Sequence, residues 1–268
     1  MTPQIQASTE LCWQLAQQTK PNDVVIVGVG TPLASAAVLL SRLLLHPQMT
    51  VLFGTAVMPQ SFSLAQSIFN SHLVSSAAIG NYTQSDVLDL IARGGVTLQF
   101  VSPLQLDAQA NFNASRIPSV SGENRHLPGS LALADTNALV GRLVAYRVGH
   151  NSRFLTQEIA YETGLGPQRR NSGAIHSPGL GVVAAVTERA TISFSTENNS
   201  IPVLLNYSGS LDEVVSSTGF GIDVAMASER NPVPQEVIDA LKYIDPFNVR
   251  NLEDKQYRND TLNDLLQQ

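Results

Sequence analysis

The 268-residue sequence predicts an α/β fold: an open, largely parallel sheet flanked by helices, with additional short strands in the C-terminal half. Three observations carry this expectation. Strand-length apolar runs alternate with helical periodicity through the first hundred residues. The second half changes to short strand-like runs separated by turn residues. A composition of 43% hydrophobic and 14% charged residues suits a large buried core, so the chain is read as one domain, 1–268.

The elements follow in order. Leu11, Cys12, Leu15 and Ala16 recur at helical spacing after a cap at Ser8, and Val24 to Val27 is a continuous β-branched run, so a helix precedes a buried strand. Gly28-Val29-Gly30 forms a turn, Thr31 an N-cap and Pro32 the first position of a long apolar helix to Leu45. A second buried strand spans Thr50 to Phe53. After a softer Ser- and Gln-rich segment, Thr83 and Asp86 have capping-box spacing, Val87, Leu88 and Ile91 share a helical face, and Gly94 stops the helix. Val96 to Val101 is the third strand.

Leu143 to Val148, Gly181 to Val186, Ala190 to Phe194 and Val203 to Leu205 are short strands. Gly164 to Gly181 reads as an irregular loop carrying Arg169 and Arg170, and a late helix runs from Pro234 to Tyr243.

The composition excludes several classes of function. A formal charge of -6 with no dense run of Lys or Arg argues against a nucleic-acid groove or a polybasic membrane surface. One cysteine, Cys12, allows no internal disulfide, which suits a reducing, cytoplasmic setting. The N-terminal segment lacks the charged start and apolar middle of a signal peptide, and Leu33 to Leu45 is too short to span a bilayer. His46, His72, His126, His150 and His176 show no metal-ligand spacing, so no metal is expected.

Gly28-Val29-Gly30 after a strand invites a dinucleotide reading, but Leu33 stands where the third glycine of that fingerprint belongs. The plain alternative is a tight turn, at a strand end where open α/β sheets place ligands. His126 and His150, beside Arg125 and Arg153, are either phosphate or acid/base groups or satisfied structural histidines. There is no Gly-x-Ser-x-Gly elbow. Gly129-Ser130 after Pro128 either presents backbone amides to an anionic oxygen or starts a helix.

As an ordered series these pieces resemble the β-subunit type of the class I CoA-transferase superfamily, as found in glutaconate CoA-transferase, over most of the chain. Val27 to Ala34 is similar to the family's strand, glycine turn and helix. Phe100-Val101-Ser102-Pro103-Leu104-Gln105-Leu106-Asp107, then Asn111-Phe112-Asn113, resembles its Gly-Ala-Gln-Ile-Asp and Gly-Asn-Val-Asn segments. Leu127-Pro128-Gly129-Ser130 matches the start of its Leu-Pro-Gly-Ser-Gly-Gly-Ala, and His150 with Arg153 and Phe154 matches its His-x-x-Arg-Phe. Ser217 to Phe220, Ile244-Asp245-Pro246 and Val249-Arg250 complete the series.

The resemblance implies a subunit that pairs with a homologous α-type subunit, as an α2β2 heterotetramer, and acts on an acyl-CoA thioester as substrate with no permanently bound cofactor. Two departures shape the expected chemistry. Gly54 stands where the family's transferases place the glutamate that attacks the thioester, and Thr55, which follows, is a weak nucleophile without a base. Ser130-Leu131-Ala132 replaces the family's Ser-Gly-Gly.

Ordinary glutamate-dependent transfer is therefore not expected; hydrolysis, C–C cleavage or decarboxylation with an α partner is. In that reading Thr55 and Ser130 are the catalytic candidates, and Gly54, Gln105, Gly129 and Arg153 the substrate-binding ones. Arg125, Arg169 and Arg170 are further candidates for the CoA phosphates. The alternative is a non-catalytic scaffold or acyl-CoA-binding subunit. A third reading keeps transfer and supplies Glu123 as the carboxylate.

Overall fold

The alternation expected from the sequence is present in the computed structural model, which describes residues 3–28, 30–59, 62–64, 71–117, 124–167, 178–195, 201–254 and 257–266. The chain divides into two compact units, one formed by residues 1–90, 96–100 and 231–268, the other by 91–95 and 101–230.

In the first unit, α1 (Pro3–Ala16) leads into β1 (Val24–Val27), α2 (Pro32–Leu44) and β2 (Thr50–Phe53). There follow β3 (Ala56–Val57), α3 (Ser71–Ala77), β4 (Gly80–Asn81), α4 (Gln84–Ala92) and β5 (Leu98–Val101). β1 is central and pairs in parallel with both β2 and β5, with Val24 opposite Thr50 and Val27 opposite Phe53. β3 and β4 extend this sheet antiparallel from β2. The first helix starts five residues before the expected cap, so Ser8 lies buried inside it.

α2 is buried from Pro32 to Arg42 because it is covered all round: α1, the 3-10 turn Val249–Glu253 and the helix Gln235–Ile244 pack against it, and β1 lies beneath. Arg42 is tolerated there because its Nη1 donates to the Met58 carbonyl at 2.8 Å and its Nη2 to that of Pro59. The capping box at α4 forms as its spacing indicates: the Asp86 carboxylate accepts from the Thr83 amide, and the Thr83 hydroxyl accepts from the Asp86 amide. Val87 and Ile91 are buried, but Leu88 is 56% exposed and leaves the face assigned to it.

The second unit contains two short antiparallel ribbons, β6 (Gln105–Leu106) with β7 (Phe112–Asn113) and β8 (Arg116–Ile117) with β9 (Arg125–His126). The 3-10 turn Pro128–Leu131 and α5 (Leu133–Leu139) come next. The main strands are β10 (Arg142–Arg147), β11 (Val182–Thr187), β12 (Ala190–Ser193), β13 (Val203–Tyr207) and β14 (Ser228–Glu229), in that spatial order, with α6 (Leu211–Ser217) after β13. β10 and β11 are parallel and β11, β12 and β13 antiparallel, which bears out the expected change of character. The shift follows from connection length: the two-residue link between β11 and β12 permits only a hairpin.

Candidate functional site

At the carboxyl end of β1, Gly30 has φ +76°, so the glycine turn does have a backbone reason. Thr31 sits at the cap position of α2, but its hydroxyl turns away and donates to the Gly28 carbonyl at 2.7 Å. The Leu33 amide is capped instead by Glu253, whose Oε1 lies 2.7 Å away. A carboxylate at a helix N-terminus satisfies an orphan donor and complements the helix dipole. Separated by 220 residues, this cap has no local sequence signal.

Gly54 and Thr55 form the two-residue loop of a β2–β3 hairpin, with Phe53 opposite Ala56. Gly54 has φ +59°, the first central position where a type II′ turn takes glycine. The strand pattern alone does not predict this hairpin, although Gly-Thr between Val-Leu-Phe and Ala-Val is a recognised signal for one. A Cβ added to Gly54 would meet nothing within 4 Å, so the corner faces open space. The Thr55 carbonyl accepts from the Tyr82 amide at 2.9 Å, and its hydroxyl has no partner among the described residues.

The second unit holds the other candidates. The Gln105 Oε1 accepts from the Asn113 Nδ2 at 2.9 Å and from the Ala160 amide at 3.0 Å, so that oxygen is already committed. Asn113 is a buried hub: its Nδ2 also donates to the Arg116 carbonyl, and its Oδ1 accepts from the Ser115 and Arg116 amides. Gly129 lies against Ala114 so closely that a Cβ would fall 2.3 Å from the Ala114 carbonyl oxygen; only glycine fits without backbone movement. Ser130 occupies the third position of this 3-10 turn, and its side chain is outside the described atoms.

Arg153 is exposed, on the turn held by the Asn151 carboxamide. Among the sequence candidates, Gly129 and Ser130 share the turn Pro128–Leu131, whereas no described contact joins Arg153 to that turn. Glu123, Arg169, Arg170, His176 and Val29 lie outside the described residues.

His150 takes the structural reading. It is buried; its Nε2–H points at the Val214 carbonyl, which can only accept, so Nδ1 takes the hydrogen of the Thr187 hydroxyl. Burial pushes its pKa below the ordinary 6.5. A histidine held neutral contributes stability above its unfolded pKa that is lost as pH falls through that value toward the folded one. The urea midpoint is therefore expected to fall between pH 7 and pH 5. His150→Gln is expected to be less stable at pH 7 and to have a shallower pH slope; an unchanged slope would contradict the assignment.

Cys12 is buried and its thiol is pushed up to about 12 by desolvation, which keeps it protonated and unreactive. Among the described residues, no group of three or more His, Cys, Asp or Glu side chains gathers as a metal site, and no helix is long and apolar enough to cross a membrane.

No protein-family model matches the chain. The β-type subunit of glutaconate CoA-transferase from Acidaminococcus fermentans is 22% identical over 244 residues, which cover 87% of this chain and 90% of that one. Among solved structures, the decarboxylase AibA/AibB superposes with a TM-score of 0.77 at 22% identity, covering 92% of this chain and 97% of that one. IpdAB of Rhodococcus jostii RHA1 gives 0.74 at 16% identity, covering 94% and 98%. The sequence match and the shared fold agree with the ordered motifs from Val27 to Arg250: the chain is a homologue of the glutaconate CoA-transferase β-type subunit and has the fold of the CoA-transferase family.

Proposed function

We propose that this chain is the β-type subunit of a cytoplasmic, heteromeric CoA-transferase-like enzyme that acts on an acyl-CoA thioester without a glutamyl intermediate. Hydrolysis, C–C cleavage or decarboxylation with an α-type partner is the reaction class. The observation that carries the reading is the corner of the β2–β3 hairpin. Gly54, at the position read as the family glutamate, has no side chain and open space beside it, and Thr55 has no described base to activate it. A relative with the same fold is named a decarboxylase, which supports a chemistry other than transfer.

In this reading the reacting acid or base comes from the partner, and the amides of the Pro128–Leu131 turn, with the Ser130 hydroxyl, donate to the thioester oxygen. The test is to co-purify the chain with its α-type partner and follow acyl-CoA consumption in Thr55→Ala and Ser130→Ala. Loss of a donor to a developing oxyanion costs about 10²-fold in kcat. Such a loss in Ser130→Ala supports the reading. Turnover unchanged in both variants removes these side chains from the mechanism and favours the second reading, a non-catalytic, acyl-CoA-binding or scaffold subunit. That reading is favoured by Gln105, whose carbonyl oxygen holds two parts of its own fold together.

A further inference from the structure

Three elements of the first unit pack on α2: α1, the helix α7 (Gln235–Ile244) and the 3-10 turn Val249–Glu253. A cavity of about 450 Å³ is left between them. That is the size of a small-molecule site, far more than one water molecule needs. None of the residues assigned above to an acyl-CoA lines it, so what it binds is independent of that reading. Ile238, Leu241 and Pro246 supply an apolar wall, and Thr9, Asn248 and Arg250 supply polar groups.

The local fold leaves these polar groups over. An asparagine that precedes a helical turn ordinarily accepts from the second or third amide with its side chain. Here the Asp245 carboxylate accepts from the Val249 and Arg250 amides, and Asn248 makes no side-chain cap. Asn248 holds φ +53°, a conformation that glycine adopts without strain and asparagine tolerates. Its carboxamide has no partner among the described residues, and neither has the hydroxyl of Thr9, a residue only 4% exposed. The Arg250 side chain is also 4% exposed; its Nη1 donates to Asp245, while Nε and Nη2 have no partner among the described residues. Buried polar groups are as a rule hydrogen-bonded. Three unpaired polar side chains on one cavity, two of them buried, call for a ligand that pairs them.

The charges limit its class. Arg250 is matched by Asp245 at 2.8 Å, and Lys242, which also lines the cavity, by Asp239 at 2.8 Å. A charged ligand would place a charge without a counterpart beside a desolvated ion pair, at a cost greater than a few hydrogen bonds offset. An uncharged carboxamide avoids that cost: its oxygen accepts from Arg250 and Thr9, and its N–H donates to the Asn248 oxygen. An aliphatic body suits the wall of Ile238, Leu241 and Pro246.

We infer that this cavity is a binding site for a small uncharged amide with an aliphatic body. A ligand held there bears on the turn that carries Glu253, the cap of α2.

The experiment is a ligand-observed NMR titration of the purified protein, with any subunit that co-purifies, using hexanamide, hexanoate and hexylammonium as probes of one length. Hexanamide is expected to bind saturably at about 1–10 mM, as a ligand of so few atoms does, and the two ions at least about tenfold more weakly. Thr9→Val and Asn248→Gly are each expected to weaken hexanamide about three- to tenfold, the loss of one hydrogen bond between neutral groups. Asn248→Gly keeps the fold, because glycine takes the left-handed conformation freely. Ile238→Trp, on a half-buried wall residue, fills the cavity and is expected to abolish binding. Equal affinity for the three probes overturns the inference, as does the absence of saturable hexanamide binding. Hexanamide binding that survives Ile238→Trp, or is unchanged in both Thr9→Val and Asn248→Gly, places the ligand elsewhere and overturns it too.

Discussion

Asp245→Ala is expected to destabilise the protein by about 3–5 kcal/mol, the cost of breaking a buried ion pair from one side. The Asp245 side chain is fully buried and accepts from the Val249 amide, the Arg250 amide and the Arg250 Nη1, the last at 2.8 Å. The Arg250 side chain is 4% exposed, so removing the carboxylate strands a cation that water cannot reach. The same carboxylate starts the 3-10 turn Val249–Glu253, and Glu253 caps α2 beside the glycine turn. Stability and the geometry of that strand end are therefore coupled. Urea unfolding measures the effect, and a double replacement, Asp245→Leu with Arg250→Met, is expected to recover much of the loss. A single-variant loss below about 1 kcal/mol would show that the pair is not desolvated.

Gly54→Glu is expected to change the chemistry more than the stability. At φ +59° a non-glycine residue costs about 1–2 kcal/mol, while the open surroundings of the corner leave the longer side chain room. A drop in Tm of a few degrees follows for a chain of this size. If Gly54 occupies the family glutamate's position, as proposed, the introduced carboxylate is expected to form, during turnover of an acyl-CoA, a CoA thioester on this chain that hydroxylamine releases. A variant that folds, binds acyl-CoA and never forms the adduct would remove the hairpin corner from the reaction site.

The fold was legible where physical signals are local. The β-branched run at Val24 to Val27, the Thr83 and Asp86 box and Pro32 at the start of α2 each formed as their spacing indicates, because each rests on contacts within a few residues. Long-range partners changed the details. Thr31 lost its capping role to Glu253, Arg42 in the largely apolar α2 found the Met58 and Pro59 carbonyls beyond the helix, and Leu88 turned outward while Val87 and Ile91 stayed in.

The candidate site was legible as a set of residue types in order, but not as hydrogen-bond roles. Gln105, a ligand candidate by sequence, has its side-chain oxygen engaged by Asn113 and the Ala160 amide, and Gly54, which follows a strand by sequence, is a hairpin corner.

The intact mass of this chain, trapped during steady-state turnover of an acyl-CoA by the assembled enzyme, tests the absence of a glutamyl intermediate most directly. The expected spectrum shows the unmodified wild-type chain and an adduct of CoA mass only in Gly54→Glu. A hydroxylamine-sensitive CoA adduct on the wild-type chain would mean that another carboxylate, such as Glu123, performs ordinary transfer, and would contradict the proposed chemistry.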